Sequence, residues 1–311
     1  MIKRLFTLVL LITSVINGQW VQQAKLIATD KNIGDQLGYN NAVGIDGDYA
    51  VVGARYDDDG GNTAGSAYVF VRSGTSWSQQ AKLNASDAAG GDGFGMDVKI
   101  SGDYIIVGAP DNDDDGTNSG SAYIFVRSGT SWSQQAKLTA SDAEATDGFG
   151  YEVDIDGDYA IVAANNEDAN NLDGAGSAYI FVRSGTSWSQ QAKLIASDAR
   201  NSDKFGEEVS ISGSYAAIGS RLDDDDAAGS GSGSAYIFVR SGTSWSQQAK
   251  LTASDAAELD AFGMGVTIDG DYVIVGAPDN DDDGTSSGSA YIFVRSGTSW
   301  SQQAKLTASD A

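Results

Sequence analysis

The string VRSGTSWSQQAKL occupies residues 126–138 and recurs unchanged at residues 71–83, 182–194, 239–251 and 294–306. The tryptophan of each copy, together with Trp20 near the start of the chain, marks a period of 55–57 residues. Self-similarity at this length is typical of a propeller or a solenoid, in which each repeat is one supersecondary unit that packs on its neighbours. The repeat therefore indicates the fold class before any single motif is considered.

Each repeat predicts four short strands, and the copy that begins at Phe149 illustrates the pattern. Residues 151–155 alternate apolar and polar side chains, and Asp156-Gly157 is a two-residue hairpin signal. Residues 159–163 and 177–182 are apolar on both faces, and residues 188–194 follow a Ser-Gly-Thr turn. Four antiparallel strands whose middle pair is covered on both sides describe one blade of a β-propeller.

The predicted fold is an all-β propeller of five complete four-stranded antiparallel blades with one extra N-terminal strand. Residues 1–18 have a charged start and an apolar stretch too short to span a bilayer, which predicts a signal peptide. The leading strand falls within residues 19–36, at Trp20 to Ile27. The repeats are assigned to residues 37–92, 93–147, 148–203, 204–260 and 261–311. Because the last repeat has its own fourth strand, one strand is spare. The chain is then either a truncated product of a longer repeat protein or a ring whose ends compete for one edge.

The composition excludes several classes of function. The chain has no cysteine and no histidine, which removes disulfides, the commonest general base and the usual zinc ligands. Its formal net charge of −24 argues against nucleic acid as a partner, because phosphate binding needs concentrated positive charge. The signal peptide and the lack of another long apolar run predict a secreted or cell-surface protein. We expect its mature part to be a monomer that does not insert into a membrane.

Two short motifs recur in register with the period. Phe-Gly stands at residues 94–95, 149–150, 205–206 and 262–263, as Leu37-Gly38 in the first copy, and Gly-Ala-Pro is intact at residues 108–110 and 276–278. The repeat resembles the FG-GAP repeat of the integrin α-subunit propeller and of many bacterial surface proteins. The resemblance implies a propeller, often calcium-bearing and often adhesive, but no particular ligand. The family's calcium loop between strands one and two is replaced here by a two-residue turn, which cannot wrap a cation.

Most of the 43 acidic residues fall in two kinds of connection, which share one face of an up-and-down propeller. One interpretation is that acidic loops keep a surface protein soluble and monomeric. The other is cation binding, because Asp-Asn-Asp-Asp-Asp-Gly at residues 111–116 and 279–284 spaces its carboxylates as the start of a calcium loop does. The candidate calcium ligands are Asp111, Asp113, Asp115, Asp279, Asp281 and Asp283, with Asp57, Asp58, Asp59, Asp223 and Asp225 at poorer spacing. Neither loop has the bidentate Glu at position 12, so we expect weak binding.

Three functions are compatible with these features. The leading hypothesis is an extracellular binding or adhesion module whose acidic, variable loops contact a protein or glycan ligand and coordinate calcium. The second is a structural spacer within a larger cell-surface protein. The third is a carboxylate-dependent glycosidase, whose candidate residues on the first strands would line the central axis: Asp97, Glu152, Asp154, Glu207 and Glu208. Near-identical repeats offer no distinguished catalytic pocket, so we expect no enzyme. We interpret the recurring tryptophans and mid-strand tyrosines as core residues.

Overall fold

The computed structural model describes residues 22–39, 41–224, 229–282 and 284–308, and this part of the chain is all-β apart from a 3₁₀ turn at Ala169–Asn171. The predicted signal peptide, residues 1–18, lies outside the described residues. Within the described ranges, no helix has the length and apolar character needed to cross a membrane.

The strands form five sheets of four, which we call blades 1 to 5. Blade 1 contains β1 Val43–Asp46, β2 Tyr49–Ala54, β3 Ser66–Ser73 and β4 Ser76–Leu83. Blade 2 contains β5 Val98–Ser101, β6 Tyr104–Ala109, β7 Ser121–Ser128 and β8 Ser131–Leu138. Blade 3 contains β9 Val153–Asp156, β10 Tyr159–Ala164, β11 Ser177–Ser184 and β12 Ser187–Leu194. Blade 4 contains β13 Phe205–Ser212, β14 Tyr215–Ser220, β15 Ser234–Ser241 and β16 Ser244–Leu251. Blade 5 contains β17 Gly265–Asp269, β18 Tyr272–Ala277, β19 Ser289–Ser296 and β20 Ser299–Leu306.

Every blade has the same up-and-down antiparallel order, so the four strands of one repeat lie side by side in chain order. The prediction of five four-stranded antiparallel blades is confirmed. The third and fourth strands shift register at the same place in each blade, for example between Ile180 and Phe181. The first strand of blade 3 begins two residues later than the pattern predicts, because the Tyr151 N–H donates to Gly148 O at 3.1 Å in a turn.

The hydrophobic core lies between successive blades. Ile106 and Ile124 of blade 2 pack in one cluster with Phe149 and Tyr179 of blade 3. The ring of Phe149 meets that of Tyr179 edge-on, with 5.4 Å between centroids. The mid-strand tyrosines are fully buried, which confirms their interpretation as core residues: Tyr68, Tyr123, Tyr179, Tyr236 and Tyr291. Both faces of the middle strands are therefore covered by neighbouring sheets, as their apolar sequence requires.

The tryptophans lie at the outer edge of these interfaces. Trp188 packs on Tyr104 of the preceding blade, with 6.3 Å between ring centroids. Its indole N–H donates to Oε1 of Gln135, also in the preceding blade, at 2.9 Å. A tryptophan held by both its ring and its N–H is a packing residue, so it has little surface left for stacking on a sugar.

The blades are arranged around an axis. The first strands of successive blades pack against one another, β1 on β5, β5 on β9, β9 on β13 and β13 on β17. The side-chain amide of Asn41, in blade 1, donates to Oε2 of Glu208, in blade 4, at 3.0 Å. In a linear stack two blades would separate these residues, so this contact requires a radial arrangement.

The segment that precedes blade 1, which we call the leading segment, does not form the predicted strand. Residues 22–28 form no strand, and Trp20 lies outside the described residues. A β-strand requires a hydrogen-bonded neighbour, and each strand of the described chain pairs only within its own blade. The segment is nevertheless packed on blade 1, because Leu26 and Ala28 join the cluster around Tyr68 and Phe70.

Candidate binding surface and axial cavity

The connections between second and third strands, and those between successive blades, meet on one face, which we call the loop face. Backbone hydrogen bonds join adjacent connections: the Phe94 N–H donates to Ala64 O at 3.0 Å, and the Phe149 N–H donates to Ser119 O at 3.0 Å. The hairpin turns lie on the opposite face, the turn face. There the arginines of blades 1, 2, 3 and 5 pair with an aspartate of the same blade, as Arg72 does with Asp48 at 2.6 Å, whereas Arg240 of blade 4 donates to Ser214 Oγ.

The lysine of each fourth strand reaches the loop face and bridges two connections. The Lys137 ammonium donates to Asp87, in the connection that precedes its blade, at 2.8 Å, and also to Asp114, in the connection between β6 and β7. The ammonium lies 5.5 Å from the ring centroid of Tyr123. Partial burial by itself favours the neutral amine, but the hydrogen bonds to Asp114 and Asp87 outweigh it and raise the pKa of Lys137. The same lysine also lowers the pKa of Asp87, against the opposing effect of burial.

Sequence reasoning missed these lysines. No role was assigned to them from the sequence, although each QQAKL string carries one lysine in a strongly acidic chain. The other four lysines make equivalent contacts with a carboxylate of the preceding connection: Lys82 with Asp30, Lys193 with Asp142, Lys250 with Asp198, and Lys305 with Asp255. Many loop-face carboxylates therefore already have a cation, which supports a structural role for part of the acidity.

One buried polar position, which we call the hub, organises each connection between the second and third strands. Its occupants are Asp57, Asn112, Glu167, Asp223 and Asn280, all buried. In blade 1 the Asp57 carboxylate accepts from Ser66 Oγ at 3.0 Å, from Tyr68 Oη at 2.8 Å and from Lys82 Nζ at 3.1 Å. In blade 2 Asn112 Oδ1 accepts from Ser121 and Lys137. In blade 1 the hub thus satisfies the serine and tyrosine hydroxyl groups under the loop.

The candidate calcium ligands do not converge in the described residues, where no group of three or more acidic side chains is placed to hold a metal. Asp111 Oδ2 accepts from the Arg55 guanidinium at 2.7 Å, and Asp113 Oδ1 accepts from the Asn118 N–H at 2.7 Å. Asp115 is exposed. Asp283 and Asp225 lie outside the described residues. Calcium binding therefore stays a prediction.

The weaker calcium candidates are already used inside their own loops. Asp57 and Asp59 both contact Lys82, and Asp223 contacts Lys250 at 3.0 Å. Asp58 Oδ1 accepts from the Thr63 N–H at 2.8 Å. A cation at these residues would have to compete with a lysine or with a backbone donor.

Two clefts open on the loop face between neighbouring connections. The Arg55 cleft has a volume of about 260 Å³ and is lined by Arg55, Met96, Asp111, Tyr151 and Asn166, among others. The Arg221 cleft, of about 450 Å³, is lined by residues that include Arg221, Leu222, Leu259, Asp279 and Asp281. Each cleft combines an arginine with a carboxylate and with exposed apolar surface. The second also brings together two of the candidate calcium ligands.

The first strands bring part of the glycosidase candidate set together at the axis. A cavity of about 380 Å³ has lining residues from all five blades, including Asn41, Lys99, Asp154, Glu208 and Thr267. Asp97 binds Lys99 at 2.5 Å and accepts from the Val153 N–H at 3.0 Å. Asp154 accepts from the Ile211 N–H at 2.8 Å.

Glu207, another glycosidase candidate, does not line the axial cavity. Its carboxylate lies 3.0 Å from Nε of Arg221 and accepts from Asn165, away from the axial cavity. Asp97 and Asp154 join neighbouring blades through backbone N–H groups, which is a structural use. The glycosidase hypothesis is left with Glu152 and Glu208.

Burial dominates the protonation of these axial carboxyl groups. It raises the pKa of Asp154 to about 6, despite hydrogen bonds from the Ile211 and Ile155 N–H groups that favour the charged form. It raises the pKa of Glu208 to about 7, against the attraction of Lys99. Burial and the neighbouring Asp97 raise the pKa of Glu152 well above its usual range.

Comparison with known proteins agrees with this architecture. A family model described as FG-GAP repeat matches residues 20–70, 77–125, 132–181, 188–238 and 245–293, which together make up most of the chain. This chain belongs to the FG-GAP repeat family. A search of curated proteins returned no match. FG-GAP repeats form a repeat or binding module, generally without enzymatic activity, and are typical of extracellular proteins.

The FG-GAP motif residues have a common structural purpose, which is to lock one blade to the next. Phe149 is fully buried, with its ring edge-on to Tyr179 of its own blade and in one cluster with Ile106 of the preceding blade, and Gly150 follows it with a positive φ of 95°. Gly108 of the preceding repeat must lack a side chain, because a Cβ there would lie 2.0 Å from Gly150 O. The FG-GAP motif is therefore explained by the close approach of the backbones of successive blades. It does not identify a ligand site.

Proposed function

We propose that this chain is an extracellular binding module that contacts a protein or glycan ligand through its loop face. The observation that carries the proposal is the contrast between scaffold and loops. The fourth strands are identical in all five blades, whereas the connections on the loop face differ in length and sequence from blade to blade. Variable loops on a uniform rigid scaffold are typical of recognition surfaces.

The Arg221 cleft is the best-supported contact point on this face. Leu259 is 64% exposed at its edge and offers apolar surface to a ligand. Arg221 can donate several hydrogen bonds, and the carboxylates of Asp279 and Asp281 can accept them from hydroxyl or amine groups. A cleft with an apolar edge and both kinds of charge suits a protein or glycan surface of mixed polarity.

The proposal is tested by screening the mature chain on arrays of glycans and extracellular-matrix proteins, with the Arg221→Ala/Leu259→Ser variant beside it. We expect hits whose signal falls at least about tenfold in this variant, because it removes both the apolar and the charged contact. The Arg72→Ala variant is the matched control, since it removes an arginine from the turn face and should leave the hits unchanged. Absence of any hit, or equal losses in both variants, would support the alternative of a structural spacer.

Weak calcium binding belongs to the same proposal, at Asp279 and Asp281 of the Arg221 cleft. The dissociation constant expected for an extracellular module is about 10⁻⁴–10⁻³ M. Melting temperature should rise on addition of millimolar calcium chloride and fall again with chelator, and the Asp279→Asn/Asp281→Asn variant should abolish this response. The Asp111→Asn/Asp113→Asn variant serves as the comparison, because Asp111 is already paired with Arg55. No calcium response in the unmodified chain would remove the calcium claim and leave ligand binding to be judged by the arrays.

A further inference from the structure

The leading segment, residues 22–30, has the sequence of the end of a fourth strand. It reads QQAKLIATD, and residues 79–87, which end the fourth strand of blade 1 and begin the next connection, read QQAKLNASD. The leading segment therefore corresponds position by position to the last strand of a blade that would precede blade 1.

The contacts of the leading segment with blade 1 reproduce those between successive blades. The Trp77 indole N–H donates to Gln23 at 2.9 Å, as that of Trp132 does to Gln80 at 2.9 Å. The Thr29 N–H donates to Gln79 Oε1 at 2.9 Å, as the Ser86 N–H does to Gln134 at 2.9 Å. Lys82 binds Asp30 at 2.9 Å, as Lys137 binds Asp87 at 2.8 Å. The segment thus occupies the place of a preceding fourth strand.

The neighbour of a fourth strand is missing beside this segment. In every blade a third strand of sequence SAYVFVRS or SAYIFVRS pairs with the fourth, but residues 22–28 have no strand partner within the described chain. Lys25 shows the consequence. The lysines at the equivalent position in all five blades bind carboxylates and lie over a tyrosine ring, whereas Lys25 is exposed and makes no ion pair with any described residue.

The face of blade 1 under this vacant position is apolar and uncovered. Val43 and Ile45 are 55% and 69% exposed, whereas the equivalent Val98 and Ile100 of blade 2 are 0% and 9% exposed. In blade 2 those residues are covered by the second and third strands of blade 1, through side chains such as Val51. Between Leu26 and the strand that holds Val43 and Ile45 lies an apolar cavity of about 230 Å³.

We propose that this edge receives a β-hairpin, made of the second and third strands of an FG-GAP repeat, from a separate polypeptide. The third strand of that hairpin pairs antiparallel with the leading segment, and its apolar side chains cover Val43 and Ile45. The mode is β-strand addition, in which main-chain hydrogen bonds give affinity and side-chain pockets give specificity. The inference concerns a different surface from the loop face, so the two proposals fail independently.

The register and the charges of the complex follow from the five blades already present. In blade 5, Ala290 lies opposite Leu306, Tyr291 opposite Lys305 and Ile292 opposite Ala304. Transferred to the leading segment, Ala, Tyr and Ile of the incoming strand lie opposite Leu26, Lys25 and Ala24. Within the connection between β18 and β19, the aspartate that contacts Lys305 is Asp282. An incoming hairpin with this aspartate supplies Lys25 with the carboxylate and the ring that it lacks.

The test uses a fluorescently labelled synthetic hairpin with the sequence of residues 272–296, titrated with the chain and followed by anisotropy. We expect saturable binding that the Ile45→Asp variant weakens by at least about tenfold, because an aliphatic side chain is no longer buried. The Ile33→Asp variant is the matched control, since Ile33 is fully exposed in the same N-terminal region and lies outside the covered face. It should bind as the unmodified chain does.

Exchanging the charges of Lys25 and of Asp282 in the hairpin tests the proposed register of the two strands. The Lys25→Glu variant should bind the hairpin about two- to fivefold more weakly, and a hairpin with Asp282→Lys should restore the loss. The Arg200→Glu variant makes the same charge change at an exposed site elsewhere and should do neither. The proposal is overturned by absence of binding at millimolar hairpin, by equal effects of Ile45→Asp and Ile33→Asp, or by failure of the charge exchange to restore affinity.

Discussion

Replacing Gly120 by alanine should uncouple blade 2 from blade 3 on the loop face. Gly120 has a φ of +85°, and a Cβ built on it would lie 2.1 Å from Phe149 O. A Cβ is fixed to the backbone of residue 120, and the Phe149 oxygen is itself a backbone atom, so no side-chain rotation relieves the clash. The backbone of one connection must therefore move. That movement breaks the hydrogen bond from the Phe149 N–H to Ser119 O, which is 3.0 Å long, and loosens the packing of the fully buried Phe149 ring.

The magnitude follows from these three effects. Alanine at a positive φ costs about 1–2 kcal/mol, the lost hydrogen bond about 1 kcal/mol, and the disturbed packing about 1–3 kcal/mol. For a chain of this size each kcal/mol lowers the melting temperature by about 2–4 °C, so we expect a fall of roughly 10 °C. The matched control is Gly129→Ala, because Gly129 has a similar φ of +64° but no atom within 4 Å of a built Cβ. It should cost only the backbone term, about 1–2 kcal/mol.

Melting followed by circular dichroism compares the two variants, and hydrogen exchange at the Phe149 amide locates the damage. Exchange at that amide should accelerate in Gly120→Ala and stay slow in Gly129→Ala. Equal melting temperatures for the two variants, or an unchanged Phe149 amide, would refute the argument that close backbone approach locks the blades.

The remaining predictions concern charge. Lys137→Met should lower stability by about 1–2 kcal/mol in urea unfolding and raise the pKa of Asp87 toward its ordinary value; an unchanged pKa would contradict the bridging role. Since the folded pKa values of Asp154 and Glu208 are raised to about 6 and about 7, these two sites bind more protons in the folded state than in the unfolded chain, and their contribution to stability should fall as pH rises from about 4 to about 7. Asp154→Asn/Glu208→Gln should flatten this fall in melting curves recorded across that range, and an equally steep fall would argue against the axial pair. Asp87, whose pKa is lowered, acts oppositely: its contribution is present above the unfolded pKa and lost as pH falls through the folded one.

The loop-face lysines show why part of the surface could not be predicted. The sequence places Lys137 on a fourth strand, but its partners come from two connections that are distant in the chain, at Asp87 and Asp114. Only the radial packing of blades brings those connections over the strand. For the same reason the acidic run at residues 111–116 looks like a calcium loop in sequence, while in space Asp111 faces Arg55 of the preceding blade.

The strands, their order and the buried tyrosines were determined by sequence alone, because they depend on alternation and turn signals within a few residues. The length of the first strands, the absence of a strand at residues 22–28 and the assembly of Lys99, Asp154 and Glu208 around one cavity were decided by tertiary structure. A strand exists only if another lies beside it, and an axial cluster exists only if several blades converge. Both conditions depend on residues that are far apart in the chain, which no local pattern specifies.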